Sequence, residues 1–156
     1  MKIPEIIEIR KTTKKGEGLF ASQPIKKGAV IFHFEGKPGD DAHTNPESLQ
    51  IDEDKFLEST EKFDDFLNHS CNPNCYIGWD KLNLMSKRDI KKGEELTYNY
   101  CTSDWDDAGL LEDHSFKCKC GSKNCIGEMK GFKHLTFEQK KRIEKYISPF
   151  LKKKFN

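Results

Sequence analysis

The sequence predicts a small, mainly β fold of the α+β class, and three observations support this. Its 156 residues are the length of a single domain with one main core. Through the first two thirds of the chain, short apolar and β-branched segments alternate with turns rich in glycine, proline and aspartate. The one segment with apolar residues near helical spacing that predicts a full helix lies close to the C-terminus.

The predicted strands follow one another closely along the chain. Residues 3–12 are apolar and β-branched, and the two glycines within residues 14–18 end that strand. Further strands are expected within residues 18–34, 49–58, 75–90 and 94–100. Residues 37–48 are expected to form a loop because of their proline, glycine and aspartate content.

Two turns have nearly the same sequence, "QPIKKGAVI" at residues 23–31 and "RDIKKGEEL" at residues 88–96. In each, the isoleucine is expected to point inward, and Gly28 or Gly93 can supply a positive φ. The two turns therefore predict similar strand connections.

Helices are expected in two places. Residues 61–69 predict a short helix, and residues 135–153 predict a longer one. Thr136, with Gln139 three residues later, matches a capping box, and Pro149 is expected to end or kink the helix. Residues 102–114 form a polar connector whose structure the pattern does not define.

The net charge of +1 gives no overall attraction to nucleic acid or to a membrane surface, but the charges are unevenly placed. Residues 40–65 contain ten acids against two lysines, and residues 104–113 add five acids and no base. Residues 133–156 have eight Lys/Arg against two acids. These segments are either solvated faces or, for the acidic ones, surfaces that attract a basic substrate.

The chain has no run of about 20 apolar residues that would span a membrane, and its first residues do not resemble a signal peptide. We therefore expect an intracellular protein, cytoplasmic or nuclear, which no membrane anchors. In a reducing compartment the six cysteines favour metal binding or catalysis over disulfides. The same argument makes "NHS" at Asn68 a poor glycosylation acceptor.

The segment "CKCGSKNC" places three cysteines in a Cys-x-Cys-x4-Cys array with a glycine at the turn. Three thiols at this spacing suit Zn²⁺, but a closed structural site needs a fourth ligand. Cys71, Cys75 and Cys101 are the candidates. A zinc module by itself would make the chain a binding domain.

Four segments taken together resemble the SET-domain protein lysine methyltransferases with a post-SET zinc motif, here without a pre-SET region. The segments are "KKGEGLFA" (14–21), "FLNHSCNPNC" (66–75), "KKGEELTYNY" (91–100) and "CKCGSKNCIG" (118–127). The resemblance implies a fold of short β-sheets in which the second segment lies beside the third as a pseudoknot. It divides the chain into a SET domain (3–101), a connector with the zinc segment (102–132) and a basic helix and tail (133–156).

The resemblance also implies a cofactor, S-adenosylmethionine, and a structural Zn²⁺. Cysteine 71 matches the fourth zinc ligand, so the implied ligand set is Cys71, Cys118, Cys120 and Cys125. The implied cofactor-binding residues are Lys15, Gly16, Glu17, Gly18, Asn68 and His69.

Tyr100 matches the family's catalytic tyrosine, whose hydroxyl would orient the substrate amine and face the charge that develops around the methyl group. Tyr98 points to the same face by strand periodicity, and a tyrosine there resembles the mono- or dimethylating members. Glu94 and Glu95 are interpreted as strand and turn residues and not as catalytic acids.

The chain departs from the family pattern in three places. Asn99 stands where an aspartate is usual, and Asp65 lies in a neighbourhood where an arginine is common. Residues 39–63 do not clearly contain a further tyrosine. Three phenylalanines are candidates to line the lysine channel instead: Phe56, Phe63 and Phe66.

The sequence thus predicts an S-adenosylmethionine-dependent protein-lysine N-methyltransferase that acts on a lysine of a basic protein. A histone-like chromatin protein fits this description, and a ribosomal or other cytosolic protein fits it equally well. One alternative is a catalytically silent SET-like module that binds a basic peptide. The other is a zinc-dependent nucleic-acid module built on the basic tail, for which aromatic residues interleaved with the basic patch would be the distinguishing feature. Direct nucleic-acid binding is not expected.

Overall fold

The computed structural model describes residues 2–39, 45–110 and 112–155. Part of the predicted loop at 37–48, including Asp40 and Asp41 of the acidic run, lies outside these residues. So do Leu111 of the connector and Asn156 of the basic tail.

The described part of the chain is built mainly from short strands arranged in small sheets. The strands are β1 (Ile7–Lys11), β2 (Glu17–Ala21), β3 (Val30–His33), β4 (Pro38–Gly39), β5 (Leu49–Asp52), β6 (Lys55–Leu57), β7 (Asn68–His69), β8 (Cys75–Gly78), β9 (Asn83–Ser86), β10 (Thr97–Tyr98), β11 (Phe116–Lys117) and β12 (Glu128–Met129). They pair as β1-β2, β3-β9-β8, β4-β6-β5, β10-β7 and β11-β12. The predicted mainly β fold is confirmed.

The two similar turns lie against each other. The backbone N–H of Ile25 donates to the carbonyl of Ile90 at 2.9 Å, and that of Ile90 donates to the carbonyl of Ile25 at 2.8 Å. Gly28 and Gly93 have φ of +81° and +86°, as the turn prediction requires. The shared sequence therefore forms one symmetric contact in the core.

Strand β7 lies beside β10 in a parallel pair that aligns Asn68 with Thr97 and His69 with Tyr98. The amide side chain of Asn74 holds the same two segments together, because it donates to the carbonyl of Glu95 at 2.8 Å and accepts from the Thr97 N–H at 3.0 Å. This is the adjacency that the pseudoknot prediction requires. The parallel pairing places the C-terminal ends of β7 and β10 side by side.

The main core lies under the sheets and contains fully buried Leu19, Ala21, Leu84 and Leu96. The predicted helix near residue 61 is a 3-10 helix, Phe63–Phe66, which buries Phe63 against this core.

The C-terminal segment forms α1 (Phe137–Ile143), a 3-10 turn (Glu144–Tyr146) and α2 (Pro149–Lys154). The capping box of Thr136 and Gln139 is confirmed. Pro149 breaks the helical segment, and it is the first residue of α2, whose N-cap is Ser148. Proline is well tolerated in the first turn of a helix.

The two C-terminal helices cover a second, smaller core. Its buried residues are Phe132, Ile147, Phe150 and Leu151, and Trp105 of the connector packs against them. The indole N–H of Trp79 donates to the carbonyl of Tyr146 at 2.8 Å, which ties this core to the sheets. No helix in the described residues has the length and apolar character to cross a membrane.

Candidate active site and cysteine cluster

The predicted cofactor loop, residues 15–18, turns at Gly16 and enters β2. Gly16 has a φ of +75°. A Cβ atom at Gly18 would lie 2.9 Å from Nδ2 of Asn68 and 2.9 Å from Oε1 of Glu95. The two glycines thus have different roles, since Gly16 allows the turn and Gly18 allows close packing.

Glu95 connects this loop to strand β7. Its Oε2 accepts a hydrogen bond from Nζ of Lys15 at 3.0 Å, and its Oε1 accepts from Nδ2 of Asn68 at 2.9 Å. The Asn68 amide also donates to the carbonyl of Glu17 at 2.8 Å. Glu95 is therefore the centre of the network that holds the predicted cofactor-binding residues together.

His69 is buried between Tyr100 and the cysteine cluster. Its Nδ1 accepts a hydrogen bond from the Tyr100 backbone N–H at 3.1 Å, so the ring proton lies on Nε2. That nitrogen is 3.3 Å from Sγ of Cys71, to which it donates. Burial, with a smaller contribution from Lys15, lowers the pKa of His69 to about 3, so the ring is neutral.

Tyr100 lies two residues after β10, where it begins a 3-10 helix (Tyr100–Thr102), within a group of aromatic rings. Its ring centroid is 4.9 Å from that of Tyr98, 5.3 Å from His69 and 6.0 Å from Phe116. The hydroxyl donates to the carbonyl of Leu67 at 2.7 Å. Because its only proton is used there, the oxygen is left with lone pairs that can accept. Burial, with a contribution from Asp104, raises the pKa of both tyrosine hydroxyls, so they are protonated.

One cavity beside these tyrosines is small and acidic. It has a volume of about 70 Å³ and is lined by Tyr98, Tyr100 and five carboxylates. The carboxylates are Glu47, Glu58, Asp64, Asp65 and Asp104. Burial raises the pKa of Asp104 well above its usual range.

Tyr100 also lines two larger cavities. One of about 300 Å³ is lined by Lys15, Asn68, His69, Tyr100 and Phe116, among others. Another of about 370 Å³ shares Lys15, Asn68, Tyr100 and Phe116 with that cavity, and shares Glu47 and Asp65 with the acidic one. Tyr100 therefore stands between the acidic cavity and the 300 Å³ cavity that the predicted cofactor residues line.

Four cysteine side chains meet behind His69. The Sγ atoms of Cys71, Cys118, Cys120 and Cys125 all lie within 4.8 Å of one another. Those of Cys71 and Cys118 are 3.7 Å apart, and all the cysteines are free thiols. A tetrahedral Zn²⁺ with Zn–S distances of about 2.3 Å separates its sulfur atoms by about 3.8 Å, so the spacing fits.

The surroundings of the four sulfurs also suit a metal. The backbone N–H of Ile126 points at Sγ of Cys71 at 3.5 Å, and that of Gly127 points at Sγ of Cys125 at 3.4 Å. Burial raises the pKa of the Cys118 thiol to about 11, and hydrogen bonds with the neighbouring cysteines shift this pKa in both directions. A cation would supply the charge that keeps four close thiols deprotonated. Cys75 and Cys101 are buried in the cores and do not join the cluster.

The structure brings all the sequence-predicted site residues into one region. Glu95 pairs with Phe20 as a strand residue, as the sequence indicates, and its carboxylate also organises the loop that contains Lys15. Of the three candidate phenylalanines, Phe66 lines the 370 Å³ cavity, whereas Phe56 and Phe63 are buried. Asp107 and His114 also line that cavity, and nothing in the polar connector sequence distinguishes them from their neighbours.

Three comparisons identify relatives of this chain. The SET domain family model matches residues 16–101. The "histone-lysine N-methyltransferase, H3 lysine-36 specific" of Mycosarcoma maydis is 31% identical over 146 residues, which cover 80% of this chain and 14% of the relative. The protein of the same name in Mus musculus is 31% identical over 142 residues, which cover 78% of this chain and 5% of the relative.

Solved structures show the same fold. One is of KRYPTONITE in complex with mCHG DNA and SAH, with a TM-score of 0.64, 24% identity and coverage of 78% of this chain and 28% of that one. Another, of KRYPTONITE with mCHH DNA, an H3(1-15) peptide and SAH, has a TM-score of 0.62 and 24% identity and covers 82% of this chain and 30% of that one. The chain spans a small part of each of these curated relatives. On the family match and the shared fold, it belongs to the SET-domain family.

Proposed function

We propose that this chain is an S-adenosylmethionine-dependent protein-lysine N-methyltransferase. The observation that carries the proposal is the position of Tyr100 between an acidic cavity and a larger cavity lined by Lys15, Asn68 and His69. Two substrates that enter from opposite sides would meet at this hydroxyl. The names of the relatives and the SAH in the solved neighbours support the same activity.

The residues on the larger side fit the proposed cofactor. The neutral ring of His69 and the partly exposed ring of Phe116, which lie edge to face, suit a planar base. Lys15 is held by Glu95 and supplies a cation for a carboxylate. When bound, S-adenosylmethionine supplies a methyl group activated by a sulfonium.

The residues on the acidic side fit a lysine side chain. The carboxylates of Glu47 and Asp65 attract an ammonium group, and burial raises the pKa of both. A lysine that enters this cavity loses water, which lowers its pKa toward the neutral amine that methyl transfer needs. The Tyr100 oxygen, with its proton donated to Leu67, accepts from the amine and orients it.

Zinc would be held by Cys71, Cys118, Cys120 and Cys125, in a structural role. Because Cys71 is two residues from His69, metal binding would fix the position of the cofactor-binding residues and of the segment that carries Phe116. Zinc takes no part in the methyl transfer.

The proposed substrate is a lysine within a basic protein of the histone type. The carboxylates around the small cavity complement such a segment, and an H3 peptide is present in one solved neighbour. A histone substrate would place the activity at chromatin. The hydroxyl of Tyr98 beside Tyr100 narrows the cavity, so we propose mono- or dimethylation.

The proposal is tested by titrating S-adenosylhomocysteine into the zinc-loaded protein and by assaying methyl transfer to histone H3 peptides. Tyr100→Phe is expected to keep binding within about threefold and to lower the transfer rate by about 100-fold or more. Tyr76→Phe removes a hydroxyl remote from both cavities and is the matched control. A folded, zinc-loaded protein that binds no S-adenosylhomocysteine would instead be the silent peptide-binding module.

A further inference from the structure

A third cavity lies away from Tyr100, between the cysteine cluster and the C-terminal helix α1. It has a volume of about 200 Å³, and among the described residues no aspartate or glutamate lines it. Its walls include two cations, Lys87 and Arg142, and two aromatic rings, Tyr76 and Tyr146. This composition is the opposite of the acidic cavity at the proposed active site.

The cations of this cavity have no acidic partner. None of the ion pairs among the described residues includes Lys87, Arg142 or the adjacent Lys145. The Arg142 guanidinium donates to the neutral amide oxygen of Asn124 at 3.3 Å. Burial and the charge of Lys145 lower the pKa of Lys87, because its ammonium is partly desolvated without compensation. An anion placed here would remove that penalty.

Two aromatic rings form part of the cavity wall. The centroids of Tyr76 and Tyr146 are 5.1 Å apart with the ring planes at 50°, and Nζ of Lys87 lies 4.7 Å from the centroid of Tyr146. Cations beside aromatic rings suit a ligand with a charged group and a planar group, since each binds its own part of the wall. The amides of Asn72 and Asn124 add donors for anionic oxygens.

We propose that this cavity is a second ligand site that binds a phosphorylated planar small molecule of the mononucleotide class. The phosphate lies between Lys87 and Arg142, where two cations match a dianion, and the base packs on Tyr146. The site is separate from the proposed cofactor cavity. It borders Cys71 and Ile126, so its occupant would also stabilise the cysteine cluster.

The test is calorimetric titration of AMP, adenosine and inorganic phosphate into the full zinc-loaded chain. Four variants separate the sites: Lys87→Met, Arg142→Gln, Lys141→Met and Asn68→Ala. Lys141 is a matched control, because it lies on the same helix but pairs with Glu144 and does not line the cavity. Thermal denaturation of each variant establishes that it is folded.

AMP is expected to bind more tightly than adenosine or phosphate alone. Lys87→Met and Arg142→Gln should each weaken AMP about tenfold or more, whereas Lys141→Met and Asn68→Ala change it less than about twofold. The proposal is overturned if AMP shows no saturable binding at millimolar concentration, or if Lys87→Met and Arg142→Gln bind it as the Lys141→Met control does. Loss of AMP binding in Asn68→Ala alone would assign it to the cofactor cavity, and the second site would again be rejected. Asn68→Ala changes only the cofactor cavity. A failure of the methyltransferase proposal would therefore be seen with this variant, separately from a failure of the second site.

Discussion

Gly18→Ala tests whether close packing at the cofactor loop is required for cofactor binding. The added Cβ would lie 2.9 Å from Nδ2 of Asn68, 2.9 Å from Oε1 of Glu95 and 3.0 Å from Cγ2 of Thr12. These atoms belong to side chains, so they can move, but the movement separates Asn68 from Glu95 and from the carbonyl of Glu17. Loss of two such hydrogen bonds costs about 2 kcal/mol in the free energy of unfolding.

The larger effect of Gly18→Ala is expected on binding. If Asn68 turns away, the cavity loses one of its walls, and the affinity for S-adenosylhomocysteine should fall at least about tenfold by calorimetry. Urea denaturation of the same samples measures the stability loss and establishes that the variant is folded.

Gly16→Ala is the matched control, two residues away in the same loop. Its φ of +75° costs an alanine about 1–2 kcal/mol, but the new Cβ would meet nothing within 4 Å. We therefore expect a similar loss of stability with near wild-type affinity. If Gly16→Ala weakened binding as much as Gly18→Ala does, general loosening of the loop would explain both, and the packing argument would be refuted.

Three further predictions follow from the connector, the cluster and the second core. Burial, together with Asp106 and Asp113, raises the pKa of Asp107 from 3.8 to about 7, so the folded state loses stability as pH rises from about 4 through 7. This shift corresponds to about 4 kcal/mol in the free energy of unfolding, which partial exposure reduces to about 2 kcal/mol. In urea denaturation, Asp107→Asn should recover this free energy in full at pH 8 and less than half of it at pH 5. Equal gains at both pH values would contradict the assignment. Cys120→Ser should lower zinc affinity by more than about 100-fold in a chelator competition, whereas Cys75→Ser should leave it unchanged. Trp79→Phe removes the hydrogen bond to Tyr146 and should cost about 1–2 kcal/mol in urea, and an unchanged unfolding midpoint would show that the second core does not depend on it.

The sequence predicted those parts of the molecule in which a local pattern determines the structure. The capping box at Thr136 depends on residues three apart, and the turns at Gly28 and Gly93 depend on one backbone conformation each. Cys71 is 47 residues from Cys118, and only the resemblance to a known family placed them together. A pairing at that distance has no periodicity that a local pattern can show.

The parts that the sequence did not predict depend on packing between distant segments. Glu95 resembles its neighbour Glu94 in every local respect, yet Glu94 pairs with exposed Arg88 while Glu95 faces Lys15 and Asn68. Asp104 is buried within a connector whose composition is that of a solvated loop. Pro149 predicts a break in the C-terminal helical segment, but α1 already ends at Ile143, and the turn that follows lets Ile147 and Phe150 fill the second core.

The parallel pair of β7 and β10 has a consequence for how the chain reaches its working form. The region around Tyr100 is assembled from residues near positions 15, 68, 95 and 118, and each of these segments is separated from the next by more than 20 residues. Closing such long loops costs entropy before any contact compensates for it, so the site forms late and as a unit. A fragment that lacks any one of these four segments lacks part of the site. Ligand binding at this site therefore reports completed folding.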